Sequence, residues 1–284
     1  MTQPETHTLD APGAVLHYDV RGNDSSSRPV LLLVGSPMGA EGFVAQAGHF
    51  TDRTVVTYDP RGAGRSKRTD GAAQTTVEEH ADDLCRLIDA VGAGPAEIFA
   101  SSGGAVNALA LVARHPEQVG LLVAHEPPAA QELPDREAVL AVCDDIKETY
   151  LRAGFGPAMA KFIALVSYQG PIPAGFADLP GPDPAAFGLP TGDDGSRDDA
   201  LLCLNMPSCP AYRHDFGALE AASTRIVVGV GAQSSEAIAG RAALAVAERL
   251  GTQPVTFPGG HDGFVGGRGE PVAFADTLRG ILSR

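Results

Sequence analysis

The sequence has 284 residues, a length that suits one domain with an insertion, and its 35 acidic and 21 basic side chains give a formal net charge of −14 at pH 7. An acidic surface repels phosphate backbones and anionic lipids, so we expect no nucleic-acid partner and no membrane partner. No apolar stretch approaches the roughly 18 residues of a membrane span, and the N-terminus has no signal-peptide pattern, so we expect a cytoplasmic protein. The four cysteines lack the spacing of a metal site, so we expect free thiols and no metal.

Strand and helix patterns alternate through the first 124 residues. Residues 14–20 (AVLHYDV) alternate as a half-buried strand does, whereas residues 30–34 (VLLLV) form the continuous apolar run of a strand buried on both faces. Further strands are predicted at residues 54–58, 96–100 and 119–124, helices at residues 42–50, 76–91 and 103–114, and a turn at residues 22–28. This alternation predicts an α/β fold, with a mostly parallel sheet and helices on both faces.

The alternation is interrupted after residue 127. Two helical patterns are followed by a stretch rich in Pro, Gly and Asp that has no clear period; these segments are residues 137–152, 157–168 and 170–199. The α/β pattern then resumes, with strands at residues 225–230 and 254–257 and helices at residues 235–250 and 271–282. We therefore predict a core of residues 1–127 and 218–284 with an inserted helical lid of residues 128–217. A disordered linker is the alternative for the inserted region.

The segment that follows the strand at residues 54–58 carries a family motif. Residues 59–66 read DPRGAGRS. This segment resembles the D-x-R-G-x-G-x-S stretch that follows a core strand in many α/β-hydrolases, where its role is structural. The resemblance implies an α/β-hydrolase fold and no chemistry for these residues.

A nucleophile is indicated where the strand at residues 96–100 meets the following helix. A serine on such a sharp strand-to-helix turn needs small residues two positions before and after it, because backbone from neighbouring elements crowds the turn. Ala100 and Gly104 meet this requirement for Ser102, although glycine is more usual at the first position. Ser101 would instead be flanked by Phe99, which is too large. Ser102 is therefore the predicted nucleophile.

Two backbone amides are candidates for an oxyanion hole. Ser36 lies in a Gly-Ser-Pro turn directly after the strand at residues 30–34, and Gly103 follows the predicted nucleophile. A tetrahedral intermediate needs donors aimed at its oxygen, and Pro37 has no N–H to offer. An ordinary turn is the alternative interpretation of Ser36.

His261 is the predicted general base among eight histidines. It follows the last strand in a Pro-Gly-Gly-His loop, the position from which a triad histidine reaches back over the nucleophile. His125 ends an earlier strand and is a second histidine that could approach the pocket. The remaining histidines are expected mostly at the surface: His7, His17, His49, His80, His115 and His214.

Three acidic residues are candidates for the third triad member. The acid usually follows the strand at residues 225–230, but the chain reads GAQSSE there, and Glu236 comes late, in a position where acids favour the helix dipole. Glu126 follows the strand at residues 119–124, from which some α/β-hydrolases take their acid, and it keeps the chain order Ser, Glu, His. Glu126 is favoured, with Glu236 and Asp215 as alternatives.

Together these motifs are similar to one branch of the family, the fungal zearalenone lactone hydrolases. That branch also joins a Ser-Ser-Gly elbow, a His-Glu-x-Pro strand end and a Pro-Gly-x-His loop, which stand here at residues 101–103, 125–128 and 258–261. The resemblance implies a triad and oxyanion donors on these residues: Ser102, Glu126 and His261, with the amides of Ser36 and Gly103. The branch places a lid tryptophan against its aromatic lactone, and this chain contains no tryptophan.

The sequence thus predicts a serine hydrolase that cleaves a carboxylic ester or lactone, a zearalenone-type macrolactone included, through an acyl-enzyme and without a cofactor. We expect a small apolar substrate, and a homodimer is left open. The apolar side chains of the lid either line the pocket or form the lid's own core: Leu151, Phe155, Met159, Phe162, Leu165 and Met206. The alternatives are a perhydrolase, peroxidase, thioesterase or peptidase on the same triad, a cyclase or lyase, and a non-catalytic ligand receptor.

Overall fold

The computed structural model describes residues 3–22, 26–72 and 74–284, and a nine-stranded sheet forms its centre. The strands are β1 (Glu5–Ala11), β2 (Ala14–Arg21), β3 (Leu31–Val34), β4 (Val55–Asp59), β5 (Lys67–Arg68), β6 (Ala96–Ser101), β7 (Val119–His125), β8 (Arg225–Gly231) and β9 (Val255–Phe257). They lie in the order β1-β2-β4-β3-β6-β7-β8-β9, and β5 also pairs with β2. The pairings of β2 are antiparallel, and every pairing from β4 onward along the sheet is parallel.

Helices cover both faces of this sheet. Within the described residues they are α1 (Val44–His49), α2 (Val77–Val91), α3 (Gly103–Arg114), α4 (Arg136–Ala153), α5 (Phe155–Ser167), α6 (Phe216–Ala221), α7 (Ile238–Arg249) and α8 (Pro271–Leu282). Side chains of α1 and α8 pack into the apolar cluster on one face, and those of α2, α3, α6 and α7 pack into the cluster on the other. The predicted fold class, a mostly parallel sheet between helices, is confirmed.

Local sequence signals place α2 where the periodicity predicts a helix. The Thr76 hydroxyl accepts a hydrogen bond from the Glu79 amide at 3.1 Å, and the Glu79 carboxylate accepts one from the Thr76 amide at 2.8 Å. This reciprocal pair satisfies amide donors that the first helical turn leaves without partners. Gly92 ends the helix with a φ of 66°, a left-handed conformation that glycine adopts without steric cost.

Four features of the fold differ from the sequence prediction. Strand β1 is polar and mostly exposed, so it carries no apolar signal and was not predicted; the short β5 and α6 were also missed. Helix α7 begins at Ile238 rather than residue 235, because the preceding residues form a turn in which the Ala237 amide donates to the Ser234 carbonyl at 3.0 Å. Of the predicted turn at residues 22–28, residues 23–25 lie outside the described part of the chain.

The chain between β7 and α6 packs over one end of the sheet. Helices α4 and α5 share an apolar cluster with Leu202 and with Ile238 and Ala242 of α7, so this region is packed onto the rest of the protein rather than being a loose linker. Residues 170–199 contain only two short 3₁₀ turns, in agreement with the absence of a periodic pattern, and a π-helix follows at Ala200–Asn205. The division into a core and a lid at residues 128 and 217 stays a prediction.

The DPRGAGRS segment holds the loop after β4 in place. Arg61 is buried, and its Nε and Nη2 each lie 2.7 Å from an oxygen of the Asp83 carboxylate on α2. Asp59 accepts a hydrogen bond from the Ala40 amide at 2.8 Å, and the Ser66 hydroxyl donates to the Asp59 carbonyl at 2.6 Å. These contacts are structural, as the resemblance implies.

The described residues offer neither a membrane span nor a metal cage. Not one helix in the described ranges combines the length and apolar character needed to cross a bilayer. In the same ranges, no group of three or more His, Cys, Asp or Glu side chains converges on a point that could hold a metal ion, and the four cysteines are free thiols. The cytoplasmic location stays a prediction.

Candidate active site

Residues from four separate strand ends meet at one edge of the sheet. Ser36 follows β3, Ser102 follows β6, Glu126 follows β7 and His261 follows β9. Because these strands run parallel within one sheet, their carboxyl ends open onto the same edge, where ligands bind in sheets of this kind. All four residues line one cavity of about 250 Å³, whose lining also includes residues from the chain between β7 and α6 and from the loop after β8.

Ser102 occupies a tight turn between β6 and α3. Its φ of 58° and ψ of −132° are unusual for a residue with a side chain, and its amide donates to the His125 carbonyl at 3.0 Å. A Cβ added to Gly104 would lie 2.6 Å from the Val34 carbonyl oxygen, so only glycine allows β3 to approach so closely. This strained, crowded turn is the environment that the small-residue pattern around Ser102 predicts.

The two candidate oxyanion amides lie in segments that touch each other. A Cβ added to Gly103 would lie 2.6 Å from the Ser36 carbonyl oxygen. Gly103 is the first residue of α3, where the helix itself provides no acceptor for the amide. Within the described residues, neither the Ser36 amide nor the Gly103 amide donates a hydrogen bond. Both donors are therefore available to a ligand.

Glu126 and His261 form a hydrogen-bonded pair. His261 Nδ1 lies 2.6 Å from Glu126 Oε2, and Glu126 is fully buried with an unusual positive φ of 47°. Its other oxygen, Oε1, accepts hydrogen bonds from the Gly231 amide at 2.8 Å and from the Ser234 hydroxyl. Burial alone would raise the pKa of Glu126, but the hydrogen bond with His261, the nearby histidine charges and the Ser234 hydroxyl lower that pKa to about 2. Glu126 is therefore ionised at neutral pH.

The alternative acids lie elsewhere. Glu236 is exposed, and Asp215 is exposed with its carboxylate accepting a hydrogen bond from the Ala218 amide at the start of α6. Among the hydrogen bonds and ion pairs of the described residues, neither carboxylate contacts His261. The structure thus brings Glu126, and neither of the two alternatives, to the candidate base.

The remaining histidines are partly as expected. His80 and His214 are buried, contrary to the expectation of surface positions, because α2 and the segment before α6 turn these rings inward. His125 is also fully buried and does not line the cavity; its Nδ1 lies 3.1 Å from the Ser101 hydroxyl. Burial lowers the pKa of His125 to about 4, so this ring is neutral at pH 7.

Of the six apolar side chains expected either to line the pocket or to form the lid's own core, two line the cavity. Phe162 and Met206 line the cavity, together with Val166, Leu201 and Ile238. Leu151 is exposed. The other three do not line the cavity but pack in the apolar cluster that α4 and α5 share, to which Phe162 and Met206 also belong: Phe155, Met159 and Leu165.

Sequence reasoning missed two polar residues that line the cavity, Ser234 and Asn205. Ser234 lies in the loop after β8, the usual position of the triad acid in this family, and its place in that loop is a signal that the sequence offers. Asn205 lies in the non-periodic part of the chain, and no pattern in the sequence singles it out.

Comparison with known proteins identifies the family. A sequence model of the alpha/beta hydrolase fold matches residues 28–176. An uncharacterized hydrolase of Bacillus subtilis, YraK, is 34% identical over 285 aligned residues, which cover 98% of this chain and 96% of the relative. The chain belongs to the α/β-hydrolase family. The family resemblance and the prediction of a hydrolase are thereby confirmed, whereas these matches do not single out the zearalenone branch.

Solved structures share the fold over the whole chain. A thermophilic esterase from Thermogutta terrifontis matches with a TM-score of 0.69 at 22% identity, covering 99% of this chain and 98% of the other. An enol-lactonase from Burkholderia xenovorans matches with a TM-score of 0.66 at 18% identity, covering 98% of this chain and all of the other. At such low identity these similarities establish the architecture of this α/β-hydrolase and nothing about its substrate.

Proposed function

We propose that this α/β-hydrolase cleaves a carboxylic ester or lactone through an acyl-enzyme, with Ser102 as nucleophile, His261 as general base and Glu126 as the triad acid. The observation that carries the proposal is the buried Glu126–His261 hydrogen bond beside the strained Ser102 turn, in a single cavity. Two proteins with the same fold are described as an esterase and an enol-lactonase, and these activities agree with the proposed cleavage of an ester or lactone.

The hydrogen bonds of Glu126 determine which nitrogen of His261 acts as the base. Glu126 Oε1 is occupied by two donors, so the ionised Oε2 faces Nδ1 as an acceptor. Nδ1 then carries the proton, and Nε2 is left with the lone pair that removes the Ser102 proton. Glu126 also stabilises the imidazolium that forms when Nε2 takes up that proton.

The proposed reaction uses these residues in turn. Ser102 Oγ attacks the carbonyl carbon, and the amides of Ser36 and Gly103 donate to the negatively charged oxygen of the tetrahedral intermediate. His261 passes its proton to the leaving alcohol, which gives the acyl-enzyme. Water activated by His261 attacks the acyl carbon, and the acid product leaves with Ser102 restored. No step of this cycle draws on a metal or an organic cofactor.

A competing nucleophile is excluded by its surroundings. Cys209 also lines the cavity, but burial raises the pKa of its thiol to about 12. Because the thiolate is the nucleophilic form, Cys209 stays unreactive at neutral pH.

The lining of the cavity suits an uncharged apolar substrate. Glu126 and His261 are the charged or titratable residues of the lining besides the Cys209 thiol, and they are paired with each other. An anionic or cationic substrate group would therefore enter without a counter-charge, at a cost in desolvation.

The volume of the cavity favours a small substrate. A protein cavity of about 150 Å³ holds one benzene molecule, so a cavity of about 250 Å³ holds a group between one and two benzene rings in size. A macrolactone such as zearalenone exceeds this volume and would enter only with its ring extending out of the cavity or with the lid displaced. We propose short-chain or aryl esters and small lactones as the preferred substrates.

The test is a panel of p-nitrophenyl esters of increasing chain length, small lactones and zearalenone, incubated with the wild-type protein and with Ser102→Ala. We expect hydrolysis of the short esters by the wild type alone. Zearalenone ring opening faster than short-ester hydrolysis would refute the size argument while keeping the mechanism. Equal turnover by Ser102→Ala would refute acyl-enzyme chemistry and favour a cyclase or lyase. No reaction with a fluorophosphonate probe would indicate a non-catalytic receptor.

A further inference from the structure

A lid asparagine contacts both segments of the candidate oxyanion hole. Asn205 is 8% exposed and lines the cavity, and its Nδ2 donates to the Ser36 hydroxyl oxygen at 2.7 Å. A Cβ added to Gly103 would lie 2.7 Å from Asn205 Oδ1, so the amide is wedged between Ser36 and the first residue of α3. Nothing in the triad requires an asparagine here.

The hydrogen bond from Asn205 determines what the Ser36 hydroxyl can do. A hydroxyl has one proton to donate and two lone pairs to accept with. One lone pair accepts from Asn205, and within the described residues Ser36 Oγ donates to no group. Ser36 is only 4% exposed and lines the cavity beside Ser102, so its unused proton is available to a ligand there.

We propose that the Ser36 hydroxyl is a third donor to the oxyanion, beside the two amides, and that Asn205 is the positioning residue that directs its proton toward the cavity. This inference rests on the proposed function, since it assigns a role within the same hydrolytic site. A preorganised donor of this kind stabilises charge that develops in the transition state and contributes little to binding of the neutral substrate.

The position of Asn205 links this donor to the lid. Asn205 ends the π-helix Ala200–Asn205, and π-helical turns occur frequently at functional sites. The helix is anchored at its start by Asp199, whose carboxylate accepts from the Leu201 amide at 3.0 Å and whose amide donates to the Tyr150 hydroxyl of α4 at 2.9 Å. Displacement of the lid would therefore remove Asn205 from Ser36 and release the hydroxyl to rotate.

The experiment measures covalent labelling of Ser102 by an alkyl fluorophosphonate, because the phosphoryl oxygen occupies the oxyanion position during attack and no natural substrate is needed. Five proteins are compared: the wild type, Ser36→Ala, Asn205→Ala, the double variant and Ser208→Ala. Ser208→Ala is the matched control, because the Ser208 hydroxyl donates to the carbonyls of Leu204 and Asn205 on the same turn, hydrogen-bonds to neither Ser36 nor the Asn205 side chain, and lies outside the cavity lining.

We expect Ser36→Ala to lower the maximal labelling rate by about 10²-fold, as the loss of one oxyanion donor does, with the half-saturating probe concentration little changed. Asn205→Ala should lower that rate about 10-fold, and the double variant should match Ser36→Ala, because Asn205 acts only through the hydroxyl. Ser208→Ala should label at the wild-type rate.

Three results would overturn the inference. Wild-type labelling of Ser36→Ala would mean that the hydroxyl is not a donor. Losses that multiply in the double variant, or an equal loss in Ser208→Ala, would mean that Asn205 has a packing role alone. A wild type that does not label at all would refute the proposed function and this inference together, so the two failures are distinguishable.

Discussion

Substitution of Glu126 by glutamine is the sharpest test of the proposed triad, because the hydrogen bonds around Glu126 determine how the new amide must lie. The Gly231 amide and the Ser234 hydroxyl both donate to Oε1, so the carbonyl oxygen of the glutamine occupies that position. Its NH₂ group then faces His261 Nδ1, where Oε2 stands 2.6 Å away in the native protein. A donor facing Nδ1 requires the proton on Nε2 instead, and this tautomer cannot accept the Ser102 proton.

The expected loss in kcat is about 10⁴-fold, the effect of the equivalent acid-to-amide change in a serine protease triad. The KM should change little, since Glu126 is fully buried and both of its carboxylate oxygens are already hydrogen-bonded within the protein. Initial rates on the best ester of the panel measure both constants, and Glu236→Gln is the matched control, with an exposed carboxylate and an expected rate within twofold of the wild type. A Glu126→Gln protein within tenfold of the wild type, or one more active than Glu236→Gln, would refute this assignment.

Three further predictions concern stability. Arg61→Ala should lower the free energy of unfolding by about 3–5 kcal/mol in urea titrations, because the buried Asp83 carboxylate loses both hydrogen bonds from Arg61 and keeps only the longer ion pair with Arg86 at 3.9 Å. Arg114→Ala, which breaks an exposed pair, should cost about 1 kcal/mol or less; equal losses would contradict this. Gly104→Ala should abolish soluble folded protein in expression trials, since its Cβ would meet backbone at 2.6 Å; a wild-type melting temperature would show that β3 can shift. The pKa of Glu126 is about 2 in the folded protein and ordinarily 4.5, so its ionisation contributes about 3 kcal/mol to the free energy of unfolding. This contribution is present above pH 4.5 and is lost as the pH falls toward 2. In Glu126→Gln the free energy of unfolding should therefore fall less steeply with decreasing pH over this range.

Much of the fold could be predicted because its signals are local. The central strands β3 and β4 are buried on both faces, so they read as short continuous apolar runs. Helix α2 carries its own capping residues, and the small residues around Ser102 are required by the turn in which they lie. The edge strand β1 was missed for the opposite reason: its side chains are mostly exposed, so nothing in its composition separates it from a loop.

The sequence by itself determined Ser102 and His261 as candidates, because an elbow serine and a Gly-flanked loop histidine are recognisable from the residues beside them. Only the tertiary structure decided which acid meets His261, since Glu126 and His261 are 135 residues apart and the pairing depends on β7 lying beside β8 and β8 beside β9. It also decided that Ser234 and Asn205 join the site and that His80 and His214 are buried. A hydrogen bond such as that from Asn205 to Ser36, across 169 residues, leaves no periodic trace in either segment, because the path of the chain and not the neighbouring sequence brings the two side chains together.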